Sequence, residues 1–305
     1  MALVLWEQPQ AKRMTLIIGW RQWADAGSVS SGLPAYLIDQ LNARQIGYIP
    51  PDGYYLFQIP GTHDLVRPMV KFEDGYPAAF ETQQNNLYYA EHHDDGILIF
   101  LGDEPHLNAQ PYVDSILEVA QTLKADHIIG CAGVYGELPY DKARIISCIY
   151  SQPSVEADLA DLVVDLSSYE GGASIGSLVC HRATQQSIPY VGFYALVPTY
   201  DFSEAAQIGN TIRIENDFMA WLGILQRVNH WLKLRLDLSD LKQKSERLKE
   251  VMAAKIDELS QLAPELGVSE YFQRLSDNFN EVAFDPLDDV WEDELRRLLD
   301  EDDSD

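Results

Sequence analysis

The segment Gly96-Ile-Leu-Ile-Phe-Leu101-Gly102 limits more than any other what this chain can fold into. Its apolar residues follow one another without a break, so neither face is left for water. A strand of that kind is buried on both sides, as in a parallel sheet covered by helices. The residues that follow agree. Val113, Ile116, Leu117, Ala120 and Leu123 recur at spacings of three and four and make one buried helical stripe.

The same alternation extends over residues 1–202. Met14–Gly19, His127–Gly130, Ile145-Ile146, Leu162–Val164 and Tyr190–Ala195 read as strands. Helices are expected over Ser28–Arg44 and Ala173–Gln186. Strands alternating with helices predict an α/β protein: a three-layer α/β/α core on a mostly parallel sheet. Residues 47–91 interrupt the rhythm with Tyr, Phe, Pro and Gly. Tyr54–Ile59, Leu65–Phe72 and Asn86–Ala90 are expected as strands of a β-rich, hairpin-forming insertion. Tyr54, Tyr55, Phe57 and Arg67 are its candidate contacts with a partner subunit, covering of a sheet edge in the same chain being the other use. Residues 203–300 read as a helical region, with Ser239 as a helix cap and a last short helix after Asp285-Pro286. Residues 301–305 form an acidic tail.

Charge narrows the partners. The chain carries 48 acids against 22 bases, a net −26, and 11 of the acids fall between Asp285 and Asp305. Such a field opposes nucleic-acid backbones and anionic membrane surfaces, so neither is an expected partner. No run approaches the length of a membrane span. Met1–Glu7 lacks a basic leader, and Cys131, Cys148 and Cys180 have no metal-binding or disulfide spacing. A cytoplasmic protein with buried free thiols, no metal and no cofactor is expected. His92-His93-Asp94-Asp95 holds metal-ligand types, but neighbours on a strand point to opposite faces, so a polar hairpin turn is the reading. A Walker-type phosphate loop is absent.

Chemistry is expected at the carboxyl ends of the strands, where open α/β sheets hold ligands. The loop after the first long strand carries Asp25, which could cap the next helix or bind a ligand hydroxyl, and Gly27, which could admit a ligand to the backbone. The loop at Gly102–His106 offers Glu104, and the loop at Gly133–Pro139 offers Glu137. Glu170, Gly171, Gly172 and Ser174 precede a helix. Gly172-Ala-Ser174-Ile-Gly176 fits G-x-S-x-G, but a nucleophile elbow needs its strand to end next to the serine. Ser174 is therefore read as a residue of the helix start. The free N–H groups there could hold an anion or a carbonyl, or the small residues could simply pack.

These loops resemble the proteasome-assembly-chaperone-2 family, in its bacterial branch. The resemblance is carried by Gly19-Trp20, Asp25-Ala-Gly27, Arg67-Pro68, Gly102-x-Glu104-Pro105, Gly133-Val-Tyr-Gly-Glu-Leu-Pro139, Tyr169-Glu-Gly171 and Gly192-Phe-Tyr-Ala-x-Val-Pro-x-Tyr200. It implies a core similar to nucleoside phosphorylases and peptidyl-tRNA hydrolases, a hairpin used in oligomerisation, with a trimer favoured, and a C-terminal helical lid over a cleft. The implied function is a chaperone-like homo-oligomeric scaffold with a protein client. The alternative is a small-molecule-binding protein or a hydrolase- or phosphorylase-like enzyme using the cleft. The chain departs from the family at Thr199, where a histidine is usual, and in its Asp302-Asp-Ser-Asp305 ending, which lacks a hydrophobic-tyrosine docking tail.

Overall fold

The computed structural model describes residues 3–58, 67–202 and 211–284. In chain order the strands begin with β1 (Val4–Leu5), β2 (Arg13–Arg21), β3 (Arg44–Tyr48), β4 (Met69–Glu73), β5 (Tyr76–Glu81) and β6 (Asn85–His92). They continue with β7 (Asp95–Asp103), β8 (His127–Gly136), β9 (Ile146–Tyr150), β10 (Asp165–Leu166), β11 (Tyr190–Asp201) and β12 (Thr211–Arg213). The helices are α1 (Gly32–Gln40), α2 (Ala109–Thr122), α3 (Glu156–Leu159), α4 (Ile175–Gln186), α5 (Phe218–Leu232), α6 (Ser239–Leu262) and α7 (Val268–Asp277).

The apolar run lies in β7, all of whose residues are buried. Its place explains this. The sheet runs β1-β3-β6-β7-β2-β8-β11-β9-β10, and β7, β2, β8 and β11 form a parallel centre flanked by antiparallel strands. Side chains alternate between two cores. Ile17, Ile97, Ile99 and Ile129 face α1, α5 and α6. Leu16, Ile18, Leu98 and Phe100 face α2 and α4. Period-two alternation with both faces covered is the three-layer α/β/α arrangement.

Several elements differ from expectation. Tyr54–Phe57 is a turn and coil, not a strand: Tyr54 N–H closes back onto Pro51 O, and the ring packs edge-on to Tyr112. Pro50 and Pro51 supply no N–H to a ladder. Residues 59–66, the end of that expected strand and the start of the next, lie outside the described residues. β3 and β6 belong to the main sheet, so the free-standing part of the β-rich stretch is the β4–β5 hairpin. Helix α1 is shorter than Ser28–Arg44, because Ser28 and Asn42 take positive φ at either end and Arg44 opens β3. Leu162–Val164 is a 3-10 turn ending at Val163 in the left-handed region, whose carbonyl accepts from the buried Arg227 guanidinium at 2.9 and 3.3 Å. Ser239 is not the cap of α6: Leu238 holds that position, and the Ser239 hydroxyl donates to Asp237.

Helices α5, α6 and α7 cover one sheet face, with Phe272 against Tyr140, Tyr200 and Phe202. The expected last helix and acidic tail lie outside the described residues. No helix among the described residues is long and apolar enough to cross a membrane.

Candidate functional site

Because β2, β7, β8 and β11 run parallel, the loops that follow them gather at one edge of the sheet. The loop after β2 is fixed by Asp25. Its Oδ1 accepts from Ser30 and Ser31 N–H, both at 2.9 Å, and its Oδ2 from the Ser31 hydroxyl at 2.7 Å. Burial pushes the Asp25 carboxyl up, against the pull of these hydrogen bonds. Both oxygens are engaged, so Asp25 secures the entry to α1 although it borders the cleft. The loop lies against β8, where Gly133 N–H donates to Ala24 O at 2.8 Å. Only glycine allows that approach: a Cβ at position 133 would stand 2.1 Å from Ala26 O.

Gly27 is not an opening for a ligand. Its φ is 61°, its carbonyl accepts from Asp217 N–H and the Trp221 indole, and a Cβ would meet Asp217 Cβ at 2.7 Å. It is the seat of α5. Asp217 also caps α5 through Met219 and Ala220 N–H, and pairs with Arg144 at 2.7 Å, both side chains being wholly buried.

Glu104 reaches across the edge. Burial raises the pKa of its carboxyl, and the backbone N–H groups of Ile175 and Trp23 pull the other way. Ile175 is the first residue of α4, so Glu104 lies toward the positive end of that helix. Ser174 is its N-cap, accepting from Ser177 N–H at 3.1 Å. The Ser174, Ser177 and Tyr194 hydroxyls form a triangle with sides of 3.1, 3.2 and 3.4 Å.

These groups floor a cleft of about 600 Å³. Trp23, Tyr135 and Tyr169, all exposed, stand at its walls, and Asp25, Gly172 and Ser174 are the sequence-predicted residues that line it. Glu104, Glu137, Glu170, Gly27 and Gly171 are not among its lining residues. Glu137 instead accepts from the Tyr271 hydroxyl of α7. Glu170 and Gly171 are exposed. Among the described residues, α5–α7 line the sheet face and contribute none of the residues that line the cleft. Sequence reasoning missed Trp23, Tyr135, Ser177 and Tyr194. Tyr194 had a signal: between the buried Phe193 and Ala195, alternation turns it to the other face of β11.

Two oligomer-contact candidates are corrected. Tyr54 is 2% exposed and belongs to the core. The Tyr55 hydroxyl lies at hydrogen-bond distance from two oxygens of its own chain, Asn85 Oδ1 at 2.6 Å and Asp103 O at 2.7 Å. Phe57 and Arg67 remain exposed, the guanidinium 5.5 Å from the Phe57 ring centre. His93 and Asp94 form the turn between β6 and β7. Among the described residues no group of His, Cys, Asp or Glu is arranged to hold a metal, and the three cysteines are buried thiols.

Fold and cleft together define a three-layer α/β/α protein with a strand-end cleft and a projecting hairpin. A family model described as PAC2 family matches residues 20–256, and the chain belongs to that family. Solved structures resemble it at low identity. A protein of unknown function from Corynebacterium glutamicum superposes with a TM-score of 0.73 at 16% identity, covering 97% of this chain and 99% of its own. A proteasome-assembly chaperone homologue from Mycobacterium tuberculosis gives 0.69 at 21%, covering 83% and 100%. The archaeal proteasome activator PbaB of Pyrococcus furiosus gives 0.57 at 17%, covering 83% and 97%. No functionally curated protein matches at a significant level of sequence similarity.

Proposed function

We propose that this chain is a homo-oligomeric scaffold of the proteasome-assembly-chaperone type, a cytoplasmic trimer that holds a protein client. The β4–β5 hairpin carries the reading. Among the described residues it pairs with no third strand, and two-stranded hairpins are marginal in water on their own. It nevertheless exposes Met69, Val70, Phe72, Tyr76 and Phe80, with Tyr76 at 76% and Phe80 at 60%, and Phe57 is exposed nearby in sequence. Exposed apolar side chains gathered on one arm suit a protein interface. A second copy of the chain is the occupant that the reading commits to. The relatives described as a proteasome-assembly chaperone homologue and a proteasome activator support the client half. Light scattering coupled to size exclusion tests it on the full chain. The wild type should run as an oligomer, and Phe72→Ser with Phe80→Ser should run as a monomer of unchanged circular dichroism. A monomeric wild type would refute the proposal.

The cleft favours a second role, binding of a small molecule. Turnover by a hydrolase- or phosphorylase-like route finds less support. No Lys, Arg or His lines the cleft among the described residues, and Ser174 has hydroxyls beside it where a nucleophile needs a base.

A further inference from the structure

We infer that the cleft takes an uncharged ring carrying hydroxyl groups, a sugar or a nucleoside, and rejects the phosphorylated form of the same molecule. The inference rests on the binding role just proposed and adds the chemistry of the ligand. A volume near 600 Å³ lies within the usual range for small-molecule sites, roughly 300–1,000 Å³.

The walls select a flat, apolar face. Trp23 stands 62% exposed and Tyr135 46% exposed on the cleft, each free to cover a ring from one side. The floor selects hydroxyls. Ser174, Ser177 and Tyr194 hold one another at hydrogen-bond distance, and each hydroxyl donates one proton and accepts through two lone pairs. The triangle cannot saturate that capacity. A ligand hydroxyl, itself donor and acceptor, fits such a group in any proton arrangement. Ser147 and Ser167 are two further serines that line the cleft.

The electrostatics reject an anion. A phosphate would look for cations or a free helix N-terminus. The start of α4 is capped by Ser174, whose hydroxyl accepts from Ser177 N–H at 3.1 Å. Asp25 places a carboxylate at the border of the cleft. Neither Arg21, paired with Asp103 at 3.4 Å, nor Arg213, stacked 5.5 Å from the Tyr135 ring centre, lines the cleft. The net charge of −26 works in the same direction.

The test uses the full chain and paired probes: adenosine with adenosine 5′-monophosphate, and methyl glucoside with glucose 6-phosphate. Calorimetric titration and the shift in melting temperature are measured for each. A neutral probe should bind and raise the melting temperature, with its phosphorylated partner weaker by about tenfold or more. Which neutral probe binds tells nucleoside from sugar. Trp23→Ala, at an exposed position, should weaken the neutral probe by about tenfold, and Tyr194→Phe by about three- to tenfold, with the fold unchanged by circular dichroism. A phosphorylated probe that binds as tightly or more tightly overturns the ligand class and leaves the binding role standing. Binding indifferent to both variants overturns the assignment to this cleft. Silence from all four probes up to millimolar concentration overturns the inference and the binding role together.

Discussion

The Arg144–Asp217 pair ties the C-terminal helices to the sheet, and cutting it should be the most costly single change outside the apolar core. Asp217 serves four partners at once. Its Oδ1 accepts from Met219 and Ala220 N–H, both at 3.1 Å, its Oδ2 accepts from Arg144 Nε at 2.7 Å, and its own N–H donates to Gly27 O at 2.9 Å. Arg144 Nη1 is satisfied by the carbonyls of Pro139, Tyr140 and Lys142, while Nη2 has no partner among the described residues. Neither side chain reaches solvent. Asp217→Ala removes a helix cap, worth about 0.5–2 kcal/mol, and strands a buried guanidinium, so that the whole change costs about 3–5 kcal/mol. Arg144→Met leaves a carboxylate that still holds two N–H groups at a helix N-terminus. Its cost should be smaller, about 1–3 kcal/mol.

The double variant decides the reasoning. With both charges gone, the desolvation that each single variant leaves uncompensated disappears. The double variant should therefore be about 2–3 kcal/mol more stable than the sum of the singles predicts. Urea unfolding at one fixed protein concentration, followed by the fluorescence of Trp221, which donates to Gly27 O beside the pair, measures all four corners. With a slope of about 3 kcal/mol per molar urea, Asp217→Ala should lower the midpoint by about 1 M or more. Additivity of the two singles to within about 0.5 kcal/mol would refute the coupling and reduce Asp217 to a helix cap.

Three further outcomes are expected. Gly133→Ala places a Cβ 2.1 Å from the Ala26 carbonyl oxygen and should cost about 1–3 kcal/mol on thermal or urea unfolding, whereas an unchanged midpoint would mean that the loop yields freely. Burial raises the folded pKa of Glu104 above its unfolded value, so stability is lost as pH rises from the unfolded pKa through the folded one. The melting temperature of Glu104→Gln minus that of the wild type should therefore grow more positive with pH across that window and then level off, and a difference that falls with pH would refute it. Burial pushes the Cys131 thiol up to about 12, so Cys131 should stay unmodified by a disulfide reagent at pH 8 in the native protein and react once urea unfolds it, as peptide mass spectrometry would read.

What the sequence makes legible follows from how local the physics is. Both β7 and α2 can be read from their own residues, because burial on two faces or on one stripe is written in consecutive side chains. Tyr54 cannot, since an aromatic residue suits a core and an interface equally. Its fate is decided by Tyr112, which lies on another element. The Ser239 cap fails for the same reason: Asp237 takes the Ser239 hydroxyl, a competition that cap propensity does not reveal.

The acids show the point most sharply. Asp25 and Glu104 looked like the chemistry of the cleft because both sit at strand ends. Asp25 is held by Ser30 and Ser31, close enough in sequence for a cap to be foreseen. Glu104 lies beside the N–H groups of Ile175 and Trp23, which only the fold brings together, and it does not line the cleft. Each acid therefore turns toward backbone N–H groups near a helix start. An acid in a strand-end loop is free for catalysis only when no helix N-terminus has claimed it. Where two are claimed, what remains for a ligand is the neutral surface between them: here Trp23, Tyr135 and three hydroxyls.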